Sequence, residues 1–526
     1  GLGVRRGDRV ALLMGTRMEF HVVDMGALLL GAVPVSLYAT SAVGQLEEIL
    51  ANAQPRVLIA ESALADKARQ LRARCAALEH LVVIEESGAA AGELSLAALE
   101  ASGPAGFDAS TIAAEVRRDD LCTLVYTSGT TGPPKGVQFR HGALLAALDA
   151  MRRRFATTER DRAISYLPMA HVAERLFGHY AAFVYGYEVT SLRDLSQLPS
   201  ALLAVRPTRF FGVPRIYEKM LTSVHGAISD SPDRDQVRAA LAARVTEIRG
   251  GAPAGAEHAD LLRPYAELTG LDQAHFVAVA GAPSSPEMLE ELTAIGLPIN
   301  EFYGCSESII GSCSPPERIR LGTAGRPFPT MRIRLADDGE VLVAGPTVTA
   351  GYFRDPERTA EAFDESGWLR TGDIGQLSED GYLRIVDRKK ALIINSAGKN
   401  MSPANIEQAI KGGRPLISQV IAIGDRRPYN VALIVLDREY LSAFAREHRL
   451  AAGDHAAWTR AAEVSEAVAA AVAAGNERLA RVEQIKRYAV LDHDWPVGGE
   501  LLTPTAKLKR REIETHYQPI IEDLYA

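Results

Sequence analysis

Short apolar runs alternate with helix-length stretches from the start of the chain, and no other feature constrains the fold as strongly. Arg9 to Met14 is an apolar run bounded by Gly7-Asp8 and Gly15, so it reads as a buried strand. Glu19 to Leu30 has a helical pattern that stops at Gly31. Val33 to Tyr38 predicts a second strand, Val43 to Ala53 a second helix, and Arg56 to Ala60 a third strand. Leu81 to Ile84 and Leu121 to Tyr126 predict further strands of the same kind. Strands separated by helices of this length predict an α/β protein with a parallel, doubly wound sheet. From Met331 to Gly345 the pattern changes. Arg332 to Leu335 alternates, Asp337-Asp338-Gly339 is a turn, and Glu340 to Val343 is apolar again, which predicts an antiparallel hairpin.

With 526 residues, the chain can form about three to five compact units. At 47% hydrophobic and 24% charged residues it is a globular composition, which excludes collagen-like, coiled-coil and wholly disordered chains. The balance of 58 Lys+Arg against 66 Asp+Glu gives net −8 and argues against a general nucleic-acid binder. Four cysteines with no paired C-x-x-C spacing build neither a disulfide scaffold nor a zinc site, and a reducing, cytoplasmic setting is expected. No apolar run reaches ~18 residues without a charge, so no membrane span is expected, while peripheral membrane contact stays open. The chain starts at Gly1-Leu2-Gly3 with neither Met nor signal peptide, and an additional N-terminal piece is expected. Ser231 to Glu267 reads as helices with a surface loop, and the Ala-rich stretch Ala461 to Ala474, with Glu463 and Glu466, as a soluble helix. Composition breaks near Ile385 to Lys390, beyond which Val420 to Ile423 and Val431 to Leu436 read as strands of a separate unit. A domain boundary is placed there, giving units 1–386 and 387–526.

The densest chemistry is Tyr126-Thr127-Ser128-Gly129-Thr130-Thr131-Gly132-Pro133-Pro134-Lys135-Gly136, directly after an apolar strand. Glycines let backbone N–H groups approach phosphate oxygens, and the hydroxyls and Lys135 add donors and charge. Gly/Ser/Thr surface loops are common, but an unbroken run of hydroxyl- or glycine-bearing residues from Thr127 to Gly132 disfavours that plain reading. The segment is not a Walker A loop, because Lys135 follows Pro134 and precedes Gly136. An ordinary P-loop NTPase is disfavoured, and a triphosphate remains the natural ligand.

This segment resembles the phosphate-binding signature of the adenylate-forming superfamily, which includes acyl-CoA synthetases, nonribosomal adenylation domains and firefly luciferase. Further motifs follow in the family's order. Tyr303-Gly304-Cys305-Ser306-Glu307 resembles its Y-G-x-[ST]-E element. The resemblance implies Tyr303 against adenine, Gly304 and Ser306 beside the nucleotide, and Glu307 on Mg²⁺, with Thr130 as a second metal-side ligand. Magnesium's preference for hard oxygens shared with phosphates suits that assignment. Taken alone, Glu307 would more often be a solvated charge and Tyr303 a core aromatic. Gly281-Ala282-Pro283 resembles the turn that packs along the adenine. Gly367-Trp368-Leu369-Arg370-Thr371-Gly372-Asp373 resembles G-W-x-x-T-G-D, whose Asp accepts the ribose hydroxyls. Asp387-Arg388-Lys389-Lys390 resembles the hinge element, with Arg388 on ribose or phosphates and Lys390 at the pivot.

Leu502 to Arg510 resembles the L-T-P-T-x-K-L-K-R loop of long-chain synthetases and aligns Lys507 with the adenylation lysine. Such an ammonium can bridge the attacking carboxylate and the α-phosphate. Leu167-Pro168-Met169-Ala170-His171 resembles L-P-x-x-H and puts His171 near the acyl carboxylate, although a lone His is more often a core residue. Val213-Pro214-Arg215-Ile216-Tyr217-Glu218-Lys219 resembles V-P-R-x-x-E-K, a motif read as architectural. One departure is Asn395, where many relatives carry lysine. The resemblance covers the whole chain and is strongest to the long-chain fatty acyl-CoA synthetase branch. It implies a large N-terminal domain of doubly wound sheets with a small β-barrel-like part, then a small mobile α+β domain. It also implies ATP, Mg²⁺ and coenzyme A, and activation of a medium- or long-chain fatty acid. Two alternatives stay open: loading of an acyl group onto a carrier protein, and a non-catalytic acyl- or adenylate-binding protein.

Overall fold

The computed structural model describes residues 2–104, 106–127, 133–251, 258–395, 399–412, 416–496, 499–503 and 507–526. Among these, two sheets dominate the first 330 residues. The first runs in the order Leu94–Ser95, His80–Val83, Val57–Ala60, Arg9–Leu13, Val33–Leu37, Leu121–Thr127, Lys135–Arg140. Its pairings are parallel except the last. Both faces are covered, which is why these strands read as continuous apolar runs rather than alternating ones. Ala11 and Leu13 pack with Leu46 and Leu50 of helix Val43–Ala53, whereas Val10 and Leu12 pack with Phe20 of helix Met18–Leu29. The sequence expectation of a doubly wound sheet is met.

The second sheet is ordered Arg326–Pro327, Ser312–Cys313, Ile299–Tyr303, Phe276–Val279, Arg209–Gly212, Arg162–Ser165, Glu188–Ser191. Its central strands are parallel, so their carboxyl ends lie along one edge. In open α/β sheets that edge is where ligands bind. The hairpin expected at Met331–Gly345 forms, as strands Arg332–Leu335 and Glu340–Ala344. It continues through Leu369–Leu377 and Leu383–Arg388 as a four-stranded antiparallel sheet. Helices Arg234–Arg249 and Ala259–Leu268 occupy the charged region, whose intervening residues 252–257 lie outside the described residues.

After Arg388 a three-stranded sheet of Ile417–Ile423, Asn430–Leu436 and Ile485–Leu491 carries helices Pro403–Lys411 and Ala462–Glu477 on one face. Trp495, Ile513, Tyr517 and Ile521 cover the other. Every buried apolar cluster among the described residues is confined to one side of the 385–390 crossing or the other. The crossing itself is interlocked. Asp387 accepts hydrogen bonds from Ser402 Oγ at 2.6 Å and Ala404 N at 3.0 Å, which ties it to the N-terminus of helix Pro403–Lys411. Its neighbour Arg388 turns back to pair with Asp373. Lys389 follows, held by Glu340 at 2.9 Å, by Asp338 and by its own N–H on Gly372 O. Lys390 is the first residue past these tethers.

Candidate active site

Strand Leu121–Thr127 delivers the chain into the Ser/Thr/Gly loop, and strand Lys135–Arg140 takes it out, so Thr127 and Lys135 are cross-strand partners at the loop's base. Ser128, Gly129, Thr130, Thr131 and Gly132 lie outside the described residues. Gly136 is required here by contact, since a Cβ would come within 2.8 Å of the Tyr126 ring. The Lys135 ammonium sits 4.8 Å from the centre of the Tyr352 ring. The Tyr352 hydroxyl in turn donates to Glu307 Oε1 at 2.9 Å. The two motifs therefore meet through Tyr352, a residue the sequence reading had not singled out.

Tyr303 ends strand Ile299–Tyr303, and the following turn is tight. Ile309 N–H donates to Cys305 O at 3.0 Å, and Ile309 adopts φ +60°. That left-handed conformation is costly for a β-branched residue. Gly304 faces the same carbonyl turn, and a Cβ there would lie 2.6 Å from Ile309 O. Ser306 and Glu307 ride on this turn. Cys305 is pushed up to about 12 by burial and the nearby Glu307 charge, so its thiol stays protonated at neutral pH.

Asp373 lies on strand Leu369–Leu377 opposite Arg388. Its Oδ2 accepts the Tyr303 hydroxyl at 2.7 Å and its Oδ1 accepts Arg388 Nε at 2.9 Å. Burial raises the Asp373 pKa, and Arg388 and the Tyr303 hydroxyl pull against it. The Arg388 side chain is 57% exposed, and its Nη1 donates to Thr371 O at 3.2 Å. Gly281 has φ +90° and stands just beyond strand Phe276–Val279. Gly281, Ala282 and Pro283 are all exposed, and Pro283 O accepts Gln408 Nε2 at 3.1 Å.

Lys507 comes from the far end of the chain. Its loop is closed by Thr503 N to Lys507 O at 2.9 Å and by Lys507 N to Thr503 Oγ1 at 2.9 Å, while 504–506 lie outside the described residues. The Lys507 side chain is reached by solvent at a cleft mouth, yet enough protein surrounds it that burial and the Arg388 charge lower its pKa. The negative charges of Asp373 and Glu307 oppose them. The same ammonium, after burial, helps hold the His171 imidazole down to about 4, so His171 is neutral near pH 7. His171 Nδ1 accepts Ala173 N–H at 3.2 Å, which leaves the ring proton on Nε2. His171 is anchored from behind. Glu174 accepts Ser165 Oγ at 2.5 Å and Leu167 N at 3.3 Å, fixing the loop before it. The π-helical turn Arg175–Tyr180 after it is pinned by buried Arg175 and His179, both on buried Asp24 at 2.8 Å. Neither Asp24 nor His179 carries a local sequence signal, because their partners are more than 150 residues apart.

The structure thus links Tyr303, Glu307, Asp373, Arg388, His171 and Lys507 into one neighbourhood, with Thr127 and Lys135 joined to it through Tyr352. Glu307 offers a hard carboxylate with Oε2 left over from the Tyr352 hydrogen bond, a donor type suited to a divalent cation beside phosphates. No helix among the described residues is long and apolar enough to cross a membrane.

Known proteins resemble this chain in sequence and in fold. The chain resembles FadD11 of Mycobacterium tuberculosis, 41% identical over 471 residues, covering 86% of this chain and 82% of the relative. It also resembles the long-chain-fatty-acid–CoA ligase FadD15 of Mycobacterium bovis, 33% identical and covering 100% of this chain and 89% of the relative. Among solved structures, the anthranilate CoA ligase AuaEII with anthranoyl-AMP superposes with a TM-score of 0.76 at 21% identity, over 99% of this chain and 90% of that one. The adenylation domain of a carboxylate reductase from Mycobacterium chelonae does so with 0.76 at 22%, over 99% and 81%. These two likenesses bear on the fold alone. The family model described as AMP-binding enzyme matches residues 1–353, and that described as AMP-binding enzyme C-terminal domain matches residues 390–526. The chain belongs to the AMP-binding, adenylate-forming enzymes.

Proposed function

We propose that this protein is an ATP-dependent acid–thiol ligase that activates a fatty acid to its acyl-adenylate and then transfers the acyl group to coenzyme A. The observation that carries the reading is the convergence of Lys507, from the last 20 residues, on Asp373, Glu307 and His171 of the preceding domain. A cation brought from so far to a cleft already holding Arg388 is disfavoured unless an anion fills the space between them. The relative FadD15 is named a long-chain-fatty-acid–CoA ligase, which supports the acid and thiol classes.

In the first half-reaction a carboxylate oxygen attacks the α-phosphorus of ATP and pyrophosphate leaves with the bond's electron pair. Lys507 neutralises charge that develops on the attacking and phosphoryl oxygens. Neutral His171, with its proton on Nε2, donates a hydrogen bond to the acyl carboxylate and holds it without removing a proton. Asp373 and Arg388 hold the ribose and Tyr303 the adenine, beside the exposed turn of Gly281, Ala282 and Pro283 and beside Gly304 and Ser306. Thr127 to Gly132 with Lys135 take the β- and γ-phosphates. Glu307 and Thr130 are the residues that would hold Mg²⁺, whose charge would offset that of the phosphates. In the second half-reaction the CoA sulfur attacks the acyl carbonyl carbon, the carbon–oxygen bond to the phosphate breaks, AMP leaves with that electron pair, and the thiol proton passes to solvent. We place the pivot between the two arrangements near 387–390, with domains 1–386 and 387–526. The tethering of Asp387 forward and of Arg388 and Lys389 backward supports that placement.

The test is AMP release across straight-chain carboxylic acids, with and without CoA. Acid-dependent AMP release with thioester formation is expected, and substitution of Asp373 by Asn should raise the ATP requirement. Pyrophosphate exchange with no thioester, but with acylation of a holo carrier protein, would favour the carrier-loading alternative. No exchange with any acid would overturn the proposal.

A further inference from the structure

The V-P-R-x-x-E-K motif does more than support the fold. Helix Pro214–Asp230 begins inside it, with Pro214 in its first turn. The motif's side chains divide between two tasks. Tyr217, fully buried, donates to Ala278 O at 2.8 Å and packs so closely that a Cβ at Gly212 would come within 2.8 Å of its ring. This locks the helix to strand Phe276–Val279, the strand that leads to Gly281-Ala282-Pro283. Arg215 and Glu218, three residues apart and therefore on one helical face, point instead at the C-terminal domain. Glu218 binds Lys411 through both oxygens, at 2.8 and 3.1 Å, and Arg215 at 3.2 Å. Arg215 also pairs with Asp437.

The partners are helix ends. Lys411 closes helix Pro403–Lys411, where a cation is favoured by the helix dipole. Asp437 caps helix Arg438–Glu447, spending Oδ1 on Tyr440 N–H and leaving Oδ2 for Arg215. Other pairs cross the same seam, but they differ in burial. Lys219 and Glu439 are 53% and 79% exposed, so their pairing carries little energy. Glu218 and Lys411 are 12% and 16% exposed. Separating those two strands each charge in partly desolvated surroundings, so the pair resists opening.

We propose that Arg215, Glu218, Lys411 and Asp437 form a latch that holds the C-terminal domain in the arrangement presenting Lys507 to the cleft, and that it opens for the thiol half-reaction. This inference rests on the two-step reading above. The latch residues are positioning residues, remote from the reacting atoms. Gln408 of the same C-terminal helix touches Pro283, so the latch and the candidate adenine turn share one seam. An ATP-side contact and the domain's orientation are thereby mechanically connected.

The experiment uses Lys411→Glu, Glu218→Lys and the double exchange, with pyrophosphate exchange and thioester formation from supplied dodecanoyl-adenylate measured on each. Either single change should lower exchange about tenfold, within the usual range of coupling between two states, and leave thioester formation equal or faster. The double exchange should restore the pyrophosphate rate. A separate readout needs no reaction. Cysteines placed by Lys219→Cys and Glu439→Cys are joined with a short bismaleimide, and Lys411→Glu should slow that crosslinking. Parallel loss of both half-reactions without rescue, or crosslinking unaffected by Lys411→Glu, would overturn the latch. A wild-type protein that activates no acid would defeat the functional reading, while the crosslinking result still decides the latch.

Discussion

Lys507 shares its cleft with a second cation, Arg388, and with the carboxylates Asp373 and Glu307. Burial and Arg388 outweigh the carboxylates and lower its pKa. In the proposed reaction the protonated form is the active one, so kcat/KM for ATP should fall on the alkaline side, starting below the ordinary lysine value of about 10.4. Lys507→Arg, which stays protonated, should remove that limb. Lys507→Ala should lower pyrophosphate exchange by at least ~10²-fold while a supplied acyl-adenylate is still converted to thioester. An equal loss in both steps would contradict the role. At this scale the sequence was readable where chemistry is packed into a few consecutive positions. Tyr303, Glu307 and Asp373 lie in such motifs, and the structure brings them together. Tyr352 was not readable, because nothing near Gly351-Tyr352-Phe353 announces a hydroxyl that donates to a carboxylate 45 residues earlier. Arg215 and Glu218 were visible as a motif, but their partners, about 200 residues downstream, were not.

The turn carrying Glu307 is strained at a buried position. Ile309 has φ +60° and is only 5% exposed. Two effects oppose each other when its side chain is cut. Losing a buried Ile costs roughly 2–5 kcal/mol, while a residue without Cβ would recover about 1 kcal/mol or more of backbone strain. Burial wins, so both Ile309→Ala and Ile309→Gly should destabilise the protein. Ile309→Gly should nevertheless be the milder by about 1 kcal/mol, the reverse of the order found in helices and strands. Urea midpoints of the two variants check this, and a milder Ile309→Ala would show that the turn holds no strain. The elements themselves were largely legible, because strands buried on both faces must be apolar throughout, as Val57–Ala60 and Val431–Leu436 are. The π-helical turn at Arg175–Tyr180 was not, since it is imposed by Asp24 from another part of the chain rather than by local periodicity.

On the proposed cycle the whole molecule presents Lys507 to the acid and ATP and later admits a thiol to the same acyl carbon. The proposed pivot falls just past Lys389, whose side chain and N–H are both held by the preceding sheet. Proline fixes φ near about −65° and removes an N–H, so Lys390→Pro should leave pyrophosphate exchange intact and reduce thioester formation at least ~10-fold. Both rates measured on one folded preparation decide it, and two rates near wild type would move the pivot elsewhere. Among the described residues the buried apolar clusters stop on either side of this crossing, and ion pairs and hydrogen bonds bridge the seam. Swinging the C-terminal domain away therefore wets charges rather than oil. Little apolar surface is gained or lost, so the change in heat capacity between the two orientations is small. Their balance should vary with temperature without marked curvature, and dissolved salt, which screens charges at a separated seam, should tilt it. In the proposed cycle the balance between the two arrangements should answer to the ionic composition of the surroundings.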